Sequence, residues 1–163
     1  MASGETLVVC YPAEYQPRAS NFATIDRRNS QLVLDFDGTA DEEAYWVKAL
    51  PRYYLGKYGL TVKVVWSAST ATSGNVVWAA SFERHGGGHD HDADSFAGEQ
   101  TATAVANATS GVETETSIQF DTTQIDGLLA GEGFRLKLRR LGTHASDTMA
   151  GDAEVWRVEV IER

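Results

Sequence analysis

The chain has 163 residues, of which 42% are hydrophobic and 10% aromatic, values typical of one folded domain rather than a disordered segment. Its formal charge of −9 argues against a nucleic-acid partner, because binding to a phosphate backbone requires a basic surface. Cys10 is the single cysteine, so the sequence excludes an intrachain disulfide framework.

The N-terminal residues 1–22 are predicted to form an extended arm on a single β-sandwich domain that spans residues 1–163. The chain begins MASGETLVVCYPAEY, without the basic start and long apolar core of a signal peptide. No apolar run approaches the ~20 residues that are needed to cross a bilayer. We therefore expect no membrane partner.

Apolar and polar side chains alternate along much of the chain, and this period of two predicts strands. In LTVKVVWSA, Val62, Val64 and Trp66 share one face, while Lys63 and Ser67 point the other way. The small polar stretch STATSG follows and is typical of a hairpin connection to the next strand. The strand candidates are TLVVCY, NFATID, QLVLDF, LTVKVVWSA, NVVWAASFER, TATAVA, TSIQF, FRLKLRR and EVWRVEVIE. Short strands separated by Gly, Asn, Asp and Ser turns predict an all-β fold, an antiparallel β-sandwich or jelly roll.

Two segments are predicted to form short helices within this sandwich. DEEAYWVKAL at Asp41–Leu50 precedes Pro51, which would end a helix. DTTQIDGLLAG at Asp121–Gly131 has an N-cap candidate, an apolar stripe and a closing glycine. Both are expected as connections between strands.

The stretch LVLDFDGTA at Leu32–Ala40 matches the first motif of the haloacid-dehalogenase superfamily, an apolar strand followed by Asp-x-Asp-Gly-Thr. By that resemblance Asp35 would be the nucleophile and Asp37 the acid/base group. The superfamily also requires alternating strands and helices, a later lysine and a paired-acid motif, for which the chain offers Asp152 alone. We therefore interpret the stretch as a strand that ends in an Asp-Gly turn, and we expect no catalytic residue in it.

The stretch HGGGHDHDAD at His85–Asp94 contains three of the four histidines, and His85, His89 and His91 are candidate metal ligands. On a strand, His89 and His91 would share a face and could reach one ion, as in cupins. The glutamate of the cupin pattern is not in place, because Glu99 comes too late. Since three glycines leave the backbone free, we predict a mobile hairpin tip with no metal and no cofactor.

Two segments are candidates for contact with a protein partner. One is the outward basic face of FRLKLRR, formed by Arg135, Lys137 and Arg139 together with Arg140. The other is YWVKALPRYYLGKY, which has more aromatic residues than one small core needs. Its candidate interface residues are Tyr45, Trp46, Tyr53, Tyr54 and Tyr58. The alternatives are an ordinary solvated strand face and an aromatic cover over one end of the sandwich.

The C-terminal strand candidate EVWRVEVIE contains an irregularity. Val155 interrupts the alternation at its start, after which Trp156, Val158 and Val160 are predicted to point inward. We expect this strand to contribute its apolar face to the core.

The blocks ALPRYYLGKYGLTVKVVWSASTATSGNVVWAASFER, DADSFAGEQT, FRLKLRR and DTMAGDAEVWRVEV resemble a family of small structural proteins of tailed bacteriophages. The resemblance covers most of the chain from Ala23 onward and concerns the overall pattern. It implies a non-enzymatic capsid decoration (cement) protein on the virion exterior, assembled in the cytoplasm of a bacterial host. The implied partners are the major capsid protein and further copies of the chain, as a dimer or trimer.

Three other functions remain open at this point. One is a phage tail or neck component. Another is a carbohydrate-binding module that uses exposed tyrosines or tryptophans as sugar platforms on a similar sandwich. The third is a cupin-like metal-dependent enzyme that would use the histidines of the glycine-rich loop. We expect no enzyme, because none of the catalytic motifs in the sequence is complete.

Overall fold

The computed structural model describes residues 4–163, which form ten strands in two antiparallel sheets. The strands are β1 (Thr6–Cys10), β2 (Thr24–Arg28), β3 (Gln31–Phe36), β4 (Asp41–Ala49), β5 (Leu60–Ala68), β6 (Asn75–His85), β7 (Gln100–Val105), β8 (Thr114–Phe120), β9 (Gly133–Leu141) and β10 (Ala153–Glu162). The prediction of an antiparallel β-sandwich of jelly-roll type is confirmed.

The two sheets differ in size and in how their strands are ordered. The six-stranded sheet has the order β2-β3-β10-β5-β8, and β1 also pairs with β10. The four-stranded sheet has the order β4-β9-β6-β7. Two strands share one edge of β10, because β3 pairs with its residues 153–155 and β1 with its residues 158–161. Between these two pairings, residues 156–157 of β10 have no strand partner on this edge.

The core lies between the sheets and is dominated by aromatic side chains. Trp46, Trp66 and Trp78 are completely buried. The Trp78 ring meets Phe36 edge-on at a centroid distance of 5.2 Å and lies 6.0 Å from Trp66. Removing one large apolar side chain from water contributes about 1.5–3 kcal/mol, so these rings account for much of the stability. The alternation predicted for the strands thus produces one continuous core.

Both predicted helices are wrong. Residues 41–49 form β4, which pairs along its whole length with β9 and directs Ala44 and Trp46 into the core. Residues 121–131 form turns, the first of which is held by the Thr123 N–H donating to Asp121 Oδ1 at 2.8 Å. The helical element in the described range is one 3-10 turn, Pro12–Glu14. Within residues 4–163 no helix has the length and apolar character required to cross a membrane.

The predicted hairpin across STATSG is also wrong. The stretch joins β5 in the six-stranded sheet to β6 in the four-stranded sheet, so it crosses the sandwich instead of turning within one sheet. Gly74 ends the crossing with a φ of +96°, a conformation that glycine adopts without strain. The Gly74 carbonyl accepts a hydrogen bond from the Ala106 N–H at 2.9 Å. A small polar linker with a terminal glycine is compatible with either connection.

The N-terminal segment follows the sandwich closely from Gly4 onward, and residues 1–3 of the predicted arm lie outside the described range. β1 pairs with β10 from Thr6 to Cys10. Further along, Gln16 bridges to Tyr45 at the edge of the four-stranded sheet. The segment therefore contributes to both sheets.

Candidate functional site

The alternation of β10 is broken at Trp156 by a β-bulge. Val155 lies opposite Trp66 on β5, whereas Arg157 lies opposite Val65, so Trp156 is the extra residue. A bulge re-aims the side chain that it carries. Trp156 consequently leaves the core, becomes partly exposed and donates from its indole Nε1–H to Ser67 Oγ at 2.9 Å. The prediction that Trp156 points inward is wrong for this reason.

The bulge lies in the gap between β1 and β3, and a cleft opens there. The cleft has a volume of about 450 Å³ and combines two aromatic side chains with a polar rim. It is lined by Tyr11, Pro12, Ala13, Gln31, Leu32, Glu113, Trp156 and Arg157. We call it the Tyr11–Trp156 cleft.

The second aromatic side chain in the cleft lining belongs to Tyr11, which precedes the 3-10 turn. Tyr11 is 51% exposed, but two hydrogen bonds fix its backbone. The Tyr11 carbonyl accepts a hydrogen bond from the buried Trp46 Nε1–H at 2.9 Å, and its N–H donates to Glu14 Oε2 at 3.2 Å. Residues of the core and the turn therefore fix the backbone that carries the ring.

The rim of the cleft supplies planar polar groups. Arg157 donates from Nε to Glu159 Oε1 at 2.8 Å, and its Nη1 lies 3.6 Å from Glu113 Oε1. The hydrogen bond to Glu159 raises the pKa of Arg157 above its usual range. Gln31 at the start of β3 adds an exposed amide. Apolar rings beside amide, carboxylate and guanidinium groups suit a ligand that has both an apolar face and hydroxyl groups.

The predicted basic face of β9 does point outward, but acidic side chains neutralise it. Arg135 donates from Nε to Glu83 Oε1 at 3.0 Å. Lys137 and Arg139 both contact Glu99, at 3.2 Å and 2.8 Å. Phe96, from the loop that follows β6, covers the face further, because the Arg135 and Lys137 cations lie over its ring. The prediction that Arg140 belongs to this face is wrong, because its side chain points into the core and is completely buried.

The aromatic candidates of YWVKALPRYYLGKY divide between core and surface. Trp46 is completely buried, and Tyr45 and Tyr54 are only 6% and 5% exposed. Tyr53 and Tyr58, both in the β4–β5 connection, are 56% and 43% exposed. These two are the members of the set with substantial exposed area, and the five side chains do not form one surface.

The histidines of the glycine-rich loop converge at the end of β6. The ring of His85 stacks on that of His89 at a centroid distance of 4.2 Å, and His91 lies 5.0 Å and 4.7 Å from the two. Burial is the largest influence on His85 and lowers its pKa. The ring of His144, in contrast, belongs to the β9–β10 connection, where its Nδ1 accepts the Ser146 N–H at 3.1 Å. The loop predicted as a mobile tip therefore brings three imidazoles together.

The two aspartates of LVLDFDGTA have separate structural roles. Asp35 lies on β3, and burial, together with the neighbouring carboxylates Glu154, Asp152 and Asp26, raises its pKa to about 7. Asp37 Oδ1 accepts hydrogen bonds from the Thr39 N–H and hydroxyl at 2.6 Å and 2.8 Å. These bonds stabilise the turn that follows β3. The strand itself pairs antiparallel with both of its neighbours.

Comparison with known proteins adds a structural likeness without a sequence relative. No protein-family model and no curated protein matches the chain. Among solved structures, the chain is similar to the CBM22-1 xylan-binding domain of Paenibacillus barcinonensis Xyn10C, with a TM-score of 0.50, 12% identity and coverage of 99% of this chain and 97% of that one. A second is TmCBM27, a mannan-recognising carbohydrate-binding module, with a TM-score of 0.49, 10% identity and 98% coverage of each chain. A third is TmCBM61 in complex with β-1,4-galactotriose, with a TM-score of 0.46, 9% identity and coverage of 94% and 91%.

These findings correct the prediction of a capsid decoration protein with the major capsid protein as partner. The structure that matches the sandwich over almost the whole of both chains is a xylan-binding domain, not a virion protein. The resemblance to phage proteins was one of overall pattern, and alternating strands of this kind occur in any sandwich. At 12% identity the likeness concerns the fold alone. This chain shares that fold with the CBM22-1 domain over almost the whole length of both.

Proposed function

We propose that the protein is a carbohydrate-binding module without catalytic activity and that it binds its glycan in the Tyr11–Trp156 cleft. The observation that carries the proposal is the sandwich shared with a xylan-binding domain, matched over 99% of this chain. The cleft supplies a site for such a ligand. Its ionisable lining residues are Tyr11, Glu113 and Arg157, whose side chains can form hydrogen bonds with hydroxyl groups.

The chemistry of the cleft matches that of a sugar ring. One face of a pyranose presents C–H groups, which pack against the negative face of an aromatic ring. Trp156 and Tyr11 supply two such rings, and the bond from the indole to Ser67 holds one of them in place. A fixed ring loses little conformational entropy when the ligand binds.

A planar amide, carboxylate or guanidinium group can form hydrogen bonds with two neighbouring hydroxyl groups of a sugar at once. Gln31, Glu113 and Arg157 are such groups, and they come from three separate segments of the chain. The volume of about 450 Å³ lies within the range of about 300–1,000 Å³ that is usual for small-molecule sites. An open cleft of this size suits a short segment of a longer glycan chain.

The test begins with a ligand panel and continues with matched variants. Affinity electrophoresis against xylan, mannan, β-1,4-galactan and β-glucans identifies a ligand, and calorimetry measures its Kd. Tyr11→Ala is expected to weaken binding at least about tenfold, equal to about 1.4 kcal/mol, because it removes one stacking ring. Tyr53→Ala serves as control, since Tyr53 is similarly exposed but lies in the β4–β5 connection, outside the cleft lining.

Two outcomes would contradict the proposal at different points. Failure to bind any glycan in the panel and in a broad glycan array would remove the carbohydrate-binding function. Binding that survives both Tyr11→Ala and Trp156→Ala would remove the cleft as its site. Thermal melts of each variant exclude loss of binding through unfolding.

A further inference from the structure

We propose that His85, His89 and His91 form a binding site for one divalent transition-metal ion of the Zn²⁺ class. The site is independent of the proposed glycan cleft, because the histidines lie at the end of β6 in the four-stranded sheet while the cleft borders the six-stranded sheet. Its presence or absence therefore does not depend on whether the protein binds carbohydrate.

The three imidazoles are close enough to share an ion. Each offers one nitrogen, and these nitrogens all lie within 4.8 Å of one another. Three nitrogens bound to a tetrahedral ion at about 2.1 Å are separated by about 3.4 Å. Small rotations of the side chains would close the remaining distance, since His89 and His91 lie in the loop that follows β6.

The local sequence explains why the rings meet. His85 ends β6, and the glycines that follow allow a tight turn, with Gly88 at a φ of +85°. The His89 N–H donates to the Gly86 carbonyl at 3.1 Å, which returns the chain over His85. Beyond the histidines, the Ala97 N–H donates to the Phe82 carbonyl at 2.9 Å and ties the loop back to β6. The glycine triplet thus shapes the site.

A buried carboxylate lies beneath the rings and positions them. Glu83 is 1% exposed, and its Oε1 lies 3.2 Å from His85 Nε2 and 3.7 Å from His89 Nε2. Arg135 Nε donates to the same oxygen, and the Ser95 N–H donates to Glu83 Oε2. Metal-binding histidines commonly pair with a carboxylate in this manner, which fixes the orientation of the ring. Glu83 is therefore a positioning residue.

The donor atoms determine the class of ion. Three imidazole nitrogens suit Zn²⁺, Co²⁺, Ni²⁺ and Cu²⁺, whereas Ca²⁺ and Mg²⁺ require oxygen ligands. A cavity of about 120 Å³ adjoins the three rings and is also lined by Gln16 and Val47. It leaves room for a water molecule as the fourth ligand of a tetrahedral ion.

The experiment uses the full chain without an affinity tag, stripped of metal by a chelator. Calorimetry with Zn²⁺ is expected to give one ion per chain with a Kd of about 10 µM or tighter. Added Co²⁺ is expected to give the visible absorption of a tetrahedral complex. His91→Ala should weaken Zn²⁺ binding at least about a hundredfold, because one of three protein ligands is lost. His144→Ala is the matched control and should leave the Kd unchanged.

Melts in chelator show whether the variants fold, and we expect His91→Ala and His144→Ala to melt within a few degrees of the unchanged chain. Zn²⁺ should then raise the melting temperature of the unchanged chain and of His144→Ala, but not of His91→Ala. Binding weaker than about 10 µM would overturn the site. An equal loss of Zn²⁺ affinity in His91→Ala and His144→Ala would overturn it as well.

Discussion

Arg140 uses all five of its guanidinium N–H groups inside the core. Two of them donate to the carboxylate of Asp147, at 3.1 Å and 2.8 Å. The other three donate to the carbonyls of Phe36, Gly151 and Met149, at 3.1 Å, 2.7 Å and 2.9 Å. Both charged side chains are completely buried, so each depends on the other for compensation of its charge.

We expect Asp147→Ala to destabilise the protein by about 3–5 kcal/mol, because it leaves the Arg140 charge buried without a counterion. Urea denaturation with unchanged slope would show this as a lower midpoint. The control is Arg18→Gln, which breaks a pair with Glu43 on a side chain that is 50% exposed. That change is expected to alter stability by less than about 1 kcal/mol. Similar losses in the two variants would contradict the prediction.

The position of Arg140 was available from the sequence, although its partner was not. In FRLKLRR the inward positions are Phe134, Leu136 and Leu138, and the same alternation directs Arg140 inward. The prediction of Arg140 on the basic face runs against this alternation. Its counterion Asp147 lies in a turn after β9, where no periodic pattern indicates which way a side chain points.

At the scale of elements, the sequence predicts most strands but not every connection. β4 contains residues with good helix propensity, and the long pairing with β9 overrides that preference. The bulge at Trp156 had a signal, the interruption at Val155 that we noted without assigning it. Two adjacent apolar residues in an alternating strand indicate a bulge. The cleft could not be predicted, because it depends on β1 and β3 sharing an edge of β10.

The crossing between the two sheets depends on the conformation of Gly74. Gly74 has a φ of +96°, and a Cβ added there would lie 2.6 Å from the Met149 Cα. Gly74→Ala is therefore expected to lower the free energy of unfolding by about 1–3 kcal/mol, through backbone strain and the clash. Gly98→Ala is the matched control, since no atom lies within 4 Å of its added Cβ. Equal stability of the two variants in thermal melts would show that the crossing tolerates a side chain.

For the whole molecule, alternation was sufficient for the sandwich and insufficient for the function. The period of two reports which side chains face the core, and this is similar in sandwiches with unrelated roles. The binding residues that we now propose, such as Tyr11 and Gln31, lie where strands begin or end. Their chemistry depends on which distant segments meet, and a periodicity pattern does not report such long-range contacts.

The acidic balance of the molecule also affects its stability, through Asp35. Burial and the carboxylates of Asp26, Asp152 and Glu154 raise its pKa from 3.8 to about 7. Between these two pH values the folded state retains a proton that the unfolded state releases, so the contribution of Asp35 to stability falls as the pH rises. Above about pH 7 Asp35 is ionised in both states, and the full free-energy cost of burying its charge lowers the stability of the fold.

Asp35→Asn removes this penalty and keeps the shape of the side chain. The melting temperature of the variant relative to that of the unchanged chain is expected to rise from pH 4 to pH 8. Asp92→Asn changes the net charge equally at an exposed position and should show no such trend. A difference for Asp35→Asn that stays constant with pH would contradict the raised pKa.

The β-bulge has one more consequence, which concerns the fluorescence of the protein. Of its four tryptophans, Trp46, Trp66 and Trp78 are completely buried, while Trp156 is partly exposed in the cleft. A water-soluble quencher therefore reaches one indole and is excluded from the other three. The chain thus contains its own optical reporter, in which shielding of Trp156 from the quencher measures how much of the cleft is occupied.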